Sequence, residues 1–256
     1  MVNDYTPDTT SPKVNGFELN INDGTLVLSF SEAVDQNATD VTQIRIQNGE
    51  DHTSLYVQLQ GGEIETNDIN TIFTIHLEED DLNSIKEETD LGTTASNTYL
   101  ALTSETASDF SGNQIEEIPL ISALPAQDHT IDMTPPTLED FEFDMNSGIF
   151  MLTFSEAVKG SSLLSERLML QSSAASIPGE VHTLSSTDSH SNENSIIVSL
   201  TVTDGDLNAI KALPNIATSR NTTYLRVLVG AISDTSDQLI ATLPDGQAVP
   251  AGNFTP

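Results

Sequence analysis

The sequence predicts an all-β chain made of two tandem antiparallel β-sandwich domains, each with a short crossing helix. Three observations lead to this prediction. Residues 24–34 return as residues 148–158, with seven of the eleven residues identical. Apolar residues alternate with polar ones through short segments, which is the period of a half-buried strand. Clusters of turn-forming residues separate these segments over about 120 residues of each copy, as in sandwich folds.

The repeat defines two copies, residues 1–131 with an N-terminal connector and residues 132–256 with a C-terminal connector. The offset is 124 residues in the first part, and it becomes 125 later, where residues 81–86 return as residues 206–211. A single insertion therefore separates two copies of one fold. Similar connector segments occur at residues 4–8, 128–132 and 252–256. We expect the chain to be a piece of a longer array.

The first two strands of each copy form a predicted hairpin. Phe17, Leu19 and Ile21 alternate with polar residues, and Gly24 follows in a turn that favours a tight hairpin. The second copy repeats this pattern. The other predicted strands are 44–47, 55–59, 71–77, 99–102 and 115–121 in the first copy, and 167–171, 181–184, 196–202, 224–229 and 239–243 in the second.

One helical segment interrupts the strands of each copy, at residues 81–86 and 206–211. Leucine and isoleucine lie three residues apart, acidic residues begin the segment and lysine ends it, which suits the helix dipole. We interpret it as a short helix that crosses between the two sheets and closes one end of the sandwich. Asp204, Gly205 and Asp206 resemble the start of a calcium loop, but the pattern is incomplete and favours helix capping.

Net charge is the strongest feature of the composition. The chain has 39 acidic and 8 basic residues, a formal charge of -31, and no cysteine. So negative a surface is repelled by phosphates, which excludes nucleic acid as an expected partner. No apolar segment approaches the length of a membrane span, so we expect no membrane insertion.

The order of several short motifs resembles the bacterial-type immunoglobulin-like tandem repeats of surface adhesins, S-layer proteins and large extracellular fibrous proteins. These motifs are the Asp-Met-Thr-Pro-Pro of residues 132–136, the following hairpin, the Phe-Ser-Glu-Ala-Val of residues 154–158 and the Asp-Phe-Ser-Gly-Asn of residues 109–113. The resemblance implies a β-sandwich that serves outside the cell as a spacer or a binding module. Two departures are Ser11 in place of a proline and the missing Gly-Asn ending at residues 233–238.

Acidic residues suggest one candidate site in each copy. Glu32 and Glu156 each follow a predicted strand and could meet aspartates from the connector and from a late turn near one end of the sandwich. Calcium prefers several carboxylate and carbonyl oxygens, so it is the one cofactor that the sequence suggests. The alternative is that these side chains cap turns through backbone hydrogen bonds. The candidates are Asp8, Glu32 and Asp109 in the first copy, and Asp132, Glu156 and Asp234 in the second.

Three Asn-x-Ser/Thr sequences, at Asn37, Asn221 and Asn253, are glycosylation candidates in predicted loops or connectors. Catalysis is not expected. The five histidines lack partners at the spacing of metal or acid-base sites, and the sequence contains neither a nucleophile motif nor a phosphate-binding loop.

These features predict a structural extracellular repeat unit of a cell-surface filament or appendage. Prolines restrict the connectors, which favours a rod-like spacer whose partners are neighbouring repeats. Sheet edges that pair with neighbouring chains are a route to polymerisation. The alternative is a carbohydrate-binding or ligand-binding adhesin module, and a third version is a spacer stiffened by calcium.

Overall fold

The computed structural model describes residues 6–51, 55–65, 70–185 and 187–256. It divides the chain into two compact units, Met1–Asp132 and Met133–Pro256. This division lies one residue from the boundary that the repeat indicates. Within these described residues, each unit contains a five-stranded sheet, a four-stranded sheet and one α-helix. The prediction of two β-sandwich domains, each with a short helix, is confirmed.

The described part of the first domain has nine strands and one α-helix. The five-stranded sheet has the order β5-β6-β2-β1-β9, and the four-stranded sheet has the order β4-β3-β7-β8. The elements are β1 (Val14–Asn20), β2 (Thr25–Phe30), β3 (Ile44–Gln47), β4 (Tyr56–Gln58), β5 (Gly62–Glu65), β6 (Ile72–Leu77), α1 (Glu79–Glu87), β7 (Tyr99–Leu102), β8 (Leu124–Pro125) and β9 (Asp128–Thr130).

The second domain repeats this order of elements. They are β10 (Leu138–Asp144), β11 (Ile149–Lys159), β12 (Leu168–Gln171), β13 (Val181–Thr183), β14 (Thr187–His190), β15 (Asn194–Val202), α2 (Asp204–Lys211), β16 (Tyr224–Val227), β17 (Val249–Pro250) and β18 (Asn253–Thr255). Its sheets have the orders β14-β15-β11-β10-β18 and β13-β12-β16-β17.

The core of each domain lies between its two sheets. In the first domain, buried side chains of β1, β2 and β6 share one cluster with buried side chains of β3 and β7. The second domain has the same arrangement. There, Phe143 stacks on Phe150 with 3.9 Å between the ring centroids, where the first domain has Leu19 and Leu26. Stacked rings add to the stabilisation that burial of the apolar surface supplies.

The hairpin that opens each domain agrees with the prediction. β1 pairs with β2 and β10 pairs with β11, both antiparallel. Gly24 and Gly148 hold φ values of 64° and 71° in the two turns, a region that favours glycine. The repeat of a glycine at this position therefore reflects a conformational requirement.

The strand pairs are antiparallel as predicted, except at one edge of each domain. β9 pairs with β1 in parallel, and β18 pairs with β10 in parallel. Both strands are formed by residues that the sequence suggested to be connectors. They are short and partly polar, so their periodicity did not distinguish them from linkers. Three of the five residues in each of the segments 128–132 and 252–256 therefore belong to the preceding sheet.

Residues 115–121 and 239–243 were predicted as strands, and this prediction is wrong. In the first of these segments, Ile115 donates to the carbonyl of Ala107, Glu116 to Pro12 and Ile118 to Leu102. Successive N–H groups thus bond to different parts of the domain, which does not build a ladder. Ile115 and Ile240 are buried in the two cores, whereas Ile121 and Leu239 are exposed, so these segments contribute single residues to the core without forming a strand.

The two helices join the five-stranded sheet to the four-stranded sheet of their domains, as predicted. Ile85 and Ile210 are buried in the two cores. The aspartates of the first turn are also buried, Asp81 at 2% and Asp206 at 4% exposure. Asp81 accepts hydrogen bonds from the N–H groups of Gln60 (2.7 Å) and Gly61 (3.3 Å).

Asp206 makes an equivalent backbone contact in the second domain and adds contacts with the side chains of Ser185, Thr203 and His182. It accepts hydrogen bonds from the N–H and the hydroxyl of Ser185 (3.1 and 2.9 Å), and His182 Nε2 lies 2.9 Å from its other oxygen. Thr203 caps the helix by accepting from the N–H of Asp206. The segment Asp204-Gly205-Asp206 is therefore the first turn of a helix, as the capping interpretation requires, but the N-cap itself is Thr203. Of the helices within the described ranges, neither has the length and apolarity of a membrane span.

Candidate functional site

The predicted carboxylates of the first copy come together at one end of the domain. One oxygen each of Asp8, Glu32 and Asp109 lies within 4.8 Å of the others. Glu32 follows β2, Asp109 lies in the loop after β7, and Asp8 belongs to the extended N-terminal segment. Asp109 is buried, Glu32 is half-buried and Asp8 is exposed. We call these three residues the first carboxylate cluster.

Asp109 also organises a tight turn. Its Oδ1 accepts hydrogen bonds from the N–H groups of Ser111 and Asn113, both at 2.8 Å, and its Oδ2 accepts from Asn113 Nδ2 at 2.8 Å. The same amide donates to the carbonyl of Asp8 at 3.2 Å. The turn-capping interpretation thus describes Asp109 correctly, while the same carboxylate also belongs to the cluster.

The pKa values in this cluster shift in opposite directions. Burial and then the neighbouring charges of Asp8 and Asp109 raise the pKa of Glu32. For Asp109, burial alone would raise the pKa, but hydrogen bonds from Asn113, Ser111 and Gly112 outweigh it and lower the pKa. Asp109 therefore stays ionised, and Glu32 is the group whose negative charge is disfavoured. A bound cation would remove this disadvantage.

The predicted carboxylates of the second copy form a corresponding group, the second carboxylate cluster. Oxygens of Asp132, Glu156 and Asp234 also lie within 4.8 Å of one another. All three residues are buried, at 2%, 5% and 1% exposure. The same kind of residue thus recurs at the same three positions of the repeat.

The late turn keeps its geometry in the second copy although its sequence differs. Asp234 Oδ1 accepts hydrogen bonds from the N–H groups of Ser236 (2.8 Å) and Gln238 (2.7 Å). Asp237 holds a φ of 67°, at the position where Gly112 holds 87°. Aspartate tolerates this region better than most residues. Loss of the Gly-Asn sequence therefore did not remove the turn.

Lys86, at the end of α1, distinguishes the two clusters. Its Nζ lies 2.7 Å from Asp132 Oδ2, and the two side chains are 7% and 1% exposed. Within the described part of the first domain, by contrast, no ion pair involves Asp8, Glu32 or Asp109. The Nζ of Lys13 instead lies 2.9 Å from Oε1 of Glu116. The sequence indicated Lys86 only as a favourable charge at the end of a helix, since 46 residues separate it from Asp132.

Both clusters offer hard oxygen ligands, but the first fits calcium better. Calcium binds oxygens at about 2.4 Å, so two ligands on opposite sides of the ion lie up to about 4.8 Å apart. The spacing of Asp8, Glu32 and Asp109 agrees with this limit. Asp132 already has the ammonium group of Lys86 beside it. A cation at the second carboxylate cluster would have to compete with that charge.

The three glycosylation candidates are all exposed. Asn37 and Asn221 lie in single turns of 3₁₀ helix, at Gln36–Ala38 and Arg220–Thr222. Asn253, predicted in a connector, is instead the first residue of β18. Its side chain is exposed as well. Glycosylation at these asparagines stays a prediction.

Comparison with known proteins found no matching protein-family model and no matching curated protein. Among solved structures, the chain is similar to the S-layer protein SbsC. The crystal structure of its residues 31–844 matches with 14% identity, a TM-score of 0.31 and coverage of 76% of this chain and 26% of the other. The N-terminal part of the same bacterial protein matches with 13% identity, a TM-score of 0.32 and coverage of 76% and 45%.

A structure of E. coli alpha-2-macroglobulin also matches, with 13% identity, a TM-score of 0.28 and coverage of 92% of this chain and 14% of the other. The chain thus spans less than half the length of each of these proteins. Similarity at this level assigns the chain to no family. Its function has to be argued from its own residues.

Proposed function

We propose that this chain is a structural repeat unit of an extracellular filament or appendage at the cell surface. The observation that carries the proposal is that one β-sandwich occurs twice, each time with a separate core and the same order of elements. Repetition of a self-contained domain is a simple way to gain length. The resemblance of the motifs to immunoglobulin-like repeats of surface proteins supports the same role.

The proposed mechanism is mechanical. Each domain resists extension through its own sheets, and the connector to the second domain begins as a strand, β9, that is hydrogen-bonded within the first sheet. Pro135 and Pro136 follow and restrict the backbone of the remaining connector. A rod-like spacer is the expected consequence. The formal charge of -31 would keep such spacers hydrated and apart from one another.

Neighbouring repeats of the same protein or filament are the proposed partners. The edge strands β5 and β9 each pair with one strand within their sheet. Their outer edges are places where another chain could add a strand, which is a common mode of association. In this proposal nucleic acid and membrane insertion have no role, and the chain performs no catalysis.

The experiment that tests this role is performed on the native protein. Antibodies against the chain should label filaments on intact source cells in electron microscopy, and the native protein that they recover should have a mass far above 27.5 kDa. Removal of N-glycans should lower that mass if Asn37, Asn221 or Asn253 carries sugar. Labelling confined to the cell interior, or a bare native mass near 27.5 kDa, would contradict the proposal.

We also propose that calcium stiffens the first domain. The supporting observations are the three converging carboxylates of the first carboxylate cluster and the raised pKa of Glu32, which results from burial and from the charges of Asp8 and Asp109. An ion that binds only the folded state stabilises it, by about 2.7 kcal/mol at a concentration 100 times Kd. Ordering of Asp8 against Asp109 would fix the start of the domain.

Hydrogen exchange read on peptides from residues 14–30 tests the calcium proposal. Calcium should slow exchange there relative to a chelator, and Glu32→Gln should remove most of this difference. Glu18→Gln is the matched control, because Glu18 is an exposed glutamate of the same domain outside the cluster. Equal exchange of the parent protein in calcium and in chelator would refute calcium binding and leave the spacer role untouched.

A further inference from the structure

The outer face of the four-stranded sheet in the first domain is covered by residues 117–121. Ile44 and Ile46 of β3 point into the core, so Arg45 and Gln47 point to the opposite face. Gln47 is fully buried there and donates from Nε2 to the carbonyl of Leu120 at 3.0 Å. Ile118 and Leu102 exchange backbone hydrogen bonds of 2.9 and 3.1 Å. These contacts hold residues 117–121 over the sheet.

A cavity of about 390 Å³ lies between residues 117–121 and the sheet. This volume is within the range of small-molecule sites. Its lining is mainly apolar, and among the described residues that line it Arg45 is the only cationic one and Glu117 the only acidic one. Glu117 is exposed at the rim, whereas Arg45 is only 7% exposed. The apolar lining residues are Ala101, Leu102, Ile118, Pro119, Leu120 and Ile121.

Arg45 is held in place by an aromatic ring. Its guanidinium carbon lies 3.5 Å from the centroid of the Tyr56 ring, the geometry of a cation–π contact. Burial lowers the pKa of Arg45, and Tyr56 partly offsets this effect. The guanidinium group stays charged, since the pKa of arginine lies far above neutrality. A fixed positive charge therefore lines a cavity whose walls are otherwise mostly apolar.

The second domain shows why this space exists. Across the strand pairs, Arg45 lies opposite Ala101 in the first domain, and Met169 lies opposite Arg226 in the second. Arg226 Nε donates to the carbonyl of Leu243 at 2.8 Å, so its long side chain crosses the sheet face. Ala101 is too short to do so. The arginine lies on β3 in the first domain and on β16 in the second. With the short Ala101 opposite it, the guanidinium group of Arg45 has open space beside it.

We propose that this cavity binds a small organic monoanion, a carboxylate with an apolar body, whose carboxylate contacts Arg45 while its body contacts Ala101 and Ile118. The planar guanidinium group matches the geometry of a carboxylate. The apolar walls favour a hydrocarbon body over a hydrated ion. Glu117 and the overall negative charge disfavour ligands with several negative charges. This inference does not depend on the structural role proposed for the chain.

Benzoate and its neutral analogue benzamide are suitable probes, because they share a ring and differ in charge. In methyl NMR spectra of the full chain, benzoate should shift Ala101, Leu102 and Ile118 saturably below about 10 mM. Benzamide should bind about tenfold more weakly, because its neutral amide lacks the negative charge that the guanidinium group attracts; tenfold in affinity corresponds to about 1.4 kcal/mol. Equal affinity for the two probes, or no saturable shift with benzoate, would overturn the proposal.

Substitutions in the cavity lining, with a control in the second domain, separate an effect on benzoate binding from an effect on folding. Arg45→Met introduces the residue that the second domain has at the equivalent position, Met169. It should abolish benzoate binding while the methyl spectrum remains that of a folded protein. Ala101→Met should fill the cavity without adding a charge and have the same effect. Arg226→Met is the matched control in the second domain and should leave binding unchanged. Retained binding in a folded Arg45→Met protein would also overturn the proposal.

Discussion

At the scale of single residues, Glu32 and Asp109 show how neighbouring carboxylates of one cluster take different roles. Asp109 receives hydrogen bonds from the backbone of its own turn, which lower its pKa despite burial. Glu32 has a raised pKa because of burial and the two nearby negative charges. The first residue supports the fold as an anion. Glu32 is the residue of the cluster at which binding of a cation or a proton should stabilise the folded domain most.

This difference leads to a prediction about pH in calcium-free buffer. Because the pKa of Glu32 is raised in the folded state, its contribution to stability is present below its ordinary pKa and is lost as pH rises through the raised value. Glu32→Gln should therefore stabilise the first domain at neutral pH. The gain should shrink on acidification, as Glu32 of the parent protein becomes protonated.

Thermal unfolding of the parent and variant across this pH range provides the measurement, with Glu18→Gln again as control. Asp109→Asn should behave in the opposite sense. A lowered pKa contributes stability above the ordinary pKa of aspartate, and this contribution is lost as pH falls through the lowered value. A Glu32→Gln protein that is less stable than the parent at neutral pH would show that the carboxylate is needed as an anion.

At the scale of elements, the two helices depend on contacts that their own sequences do not reveal. The amphipathic pattern and the terminal charges explain why the segments are helical. Their placement depends on Asp81 and Asp206, which accept hydrogen bonds from the backbone or side chains just after β4 and β13. Acidic residues in a first turn are usually explained by the helix dipole. In these two helices, one acidic residue of the first turn, Asp81 or Asp206, is buried and connects the helix to the segment after the neighbouring strand.

We predict that Asp81→Ala destabilises the protein by about 1–3 kcal/mol, because the N–H groups of Gln60 and Gly61 lose their acceptor in a buried place. Asp80→Ala is the matched control. Asp80 lies in the same first turn but is exposed, so its loss removes only the dipole contribution of at most about 1 kcal/mol.

Urea denaturation measures the loss of stability, and hydrogen exchange of residues 79–87 locates it. Exchange should increase in this helix for Asp81→Ala and change little for Asp80→Ala. Equal effects of the two substitutions would mean that the charge of the first turn matters and the buried hydrogen bonds do not.

At the scale of the whole molecule, the chain is organised by repetition and by charge. Each copy has its own apolar core, and in each copy the helix leads from the larger sheet to the smaller one. The two copies differ in some core side chains and in the position of one arginine. Leu19 and Leu26 correspond to the stacked Phe143 and Phe150, and the arginine of the outer sheet face changes strand. In the first copy, the same fold thus contains a cavity lined by the buried guanidinium group of Arg45.

The repeat, the sandwich class, the hairpins, the helices and the six clustered carboxylates were all predictable from the sequence. Periodicity, turn glycines and self-similarity are properties of the chain itself, and comparison of two copies shows which acidic residues recur. The tertiary structure alone decided the parallel pairing of β9 and β18, the contact of Lys86 with Asp132 and the position of Arg45 beside Tyr56. The physical reason is that strand neighbours, and the side-chain contacts that follow from them, are set by burial over the whole domain.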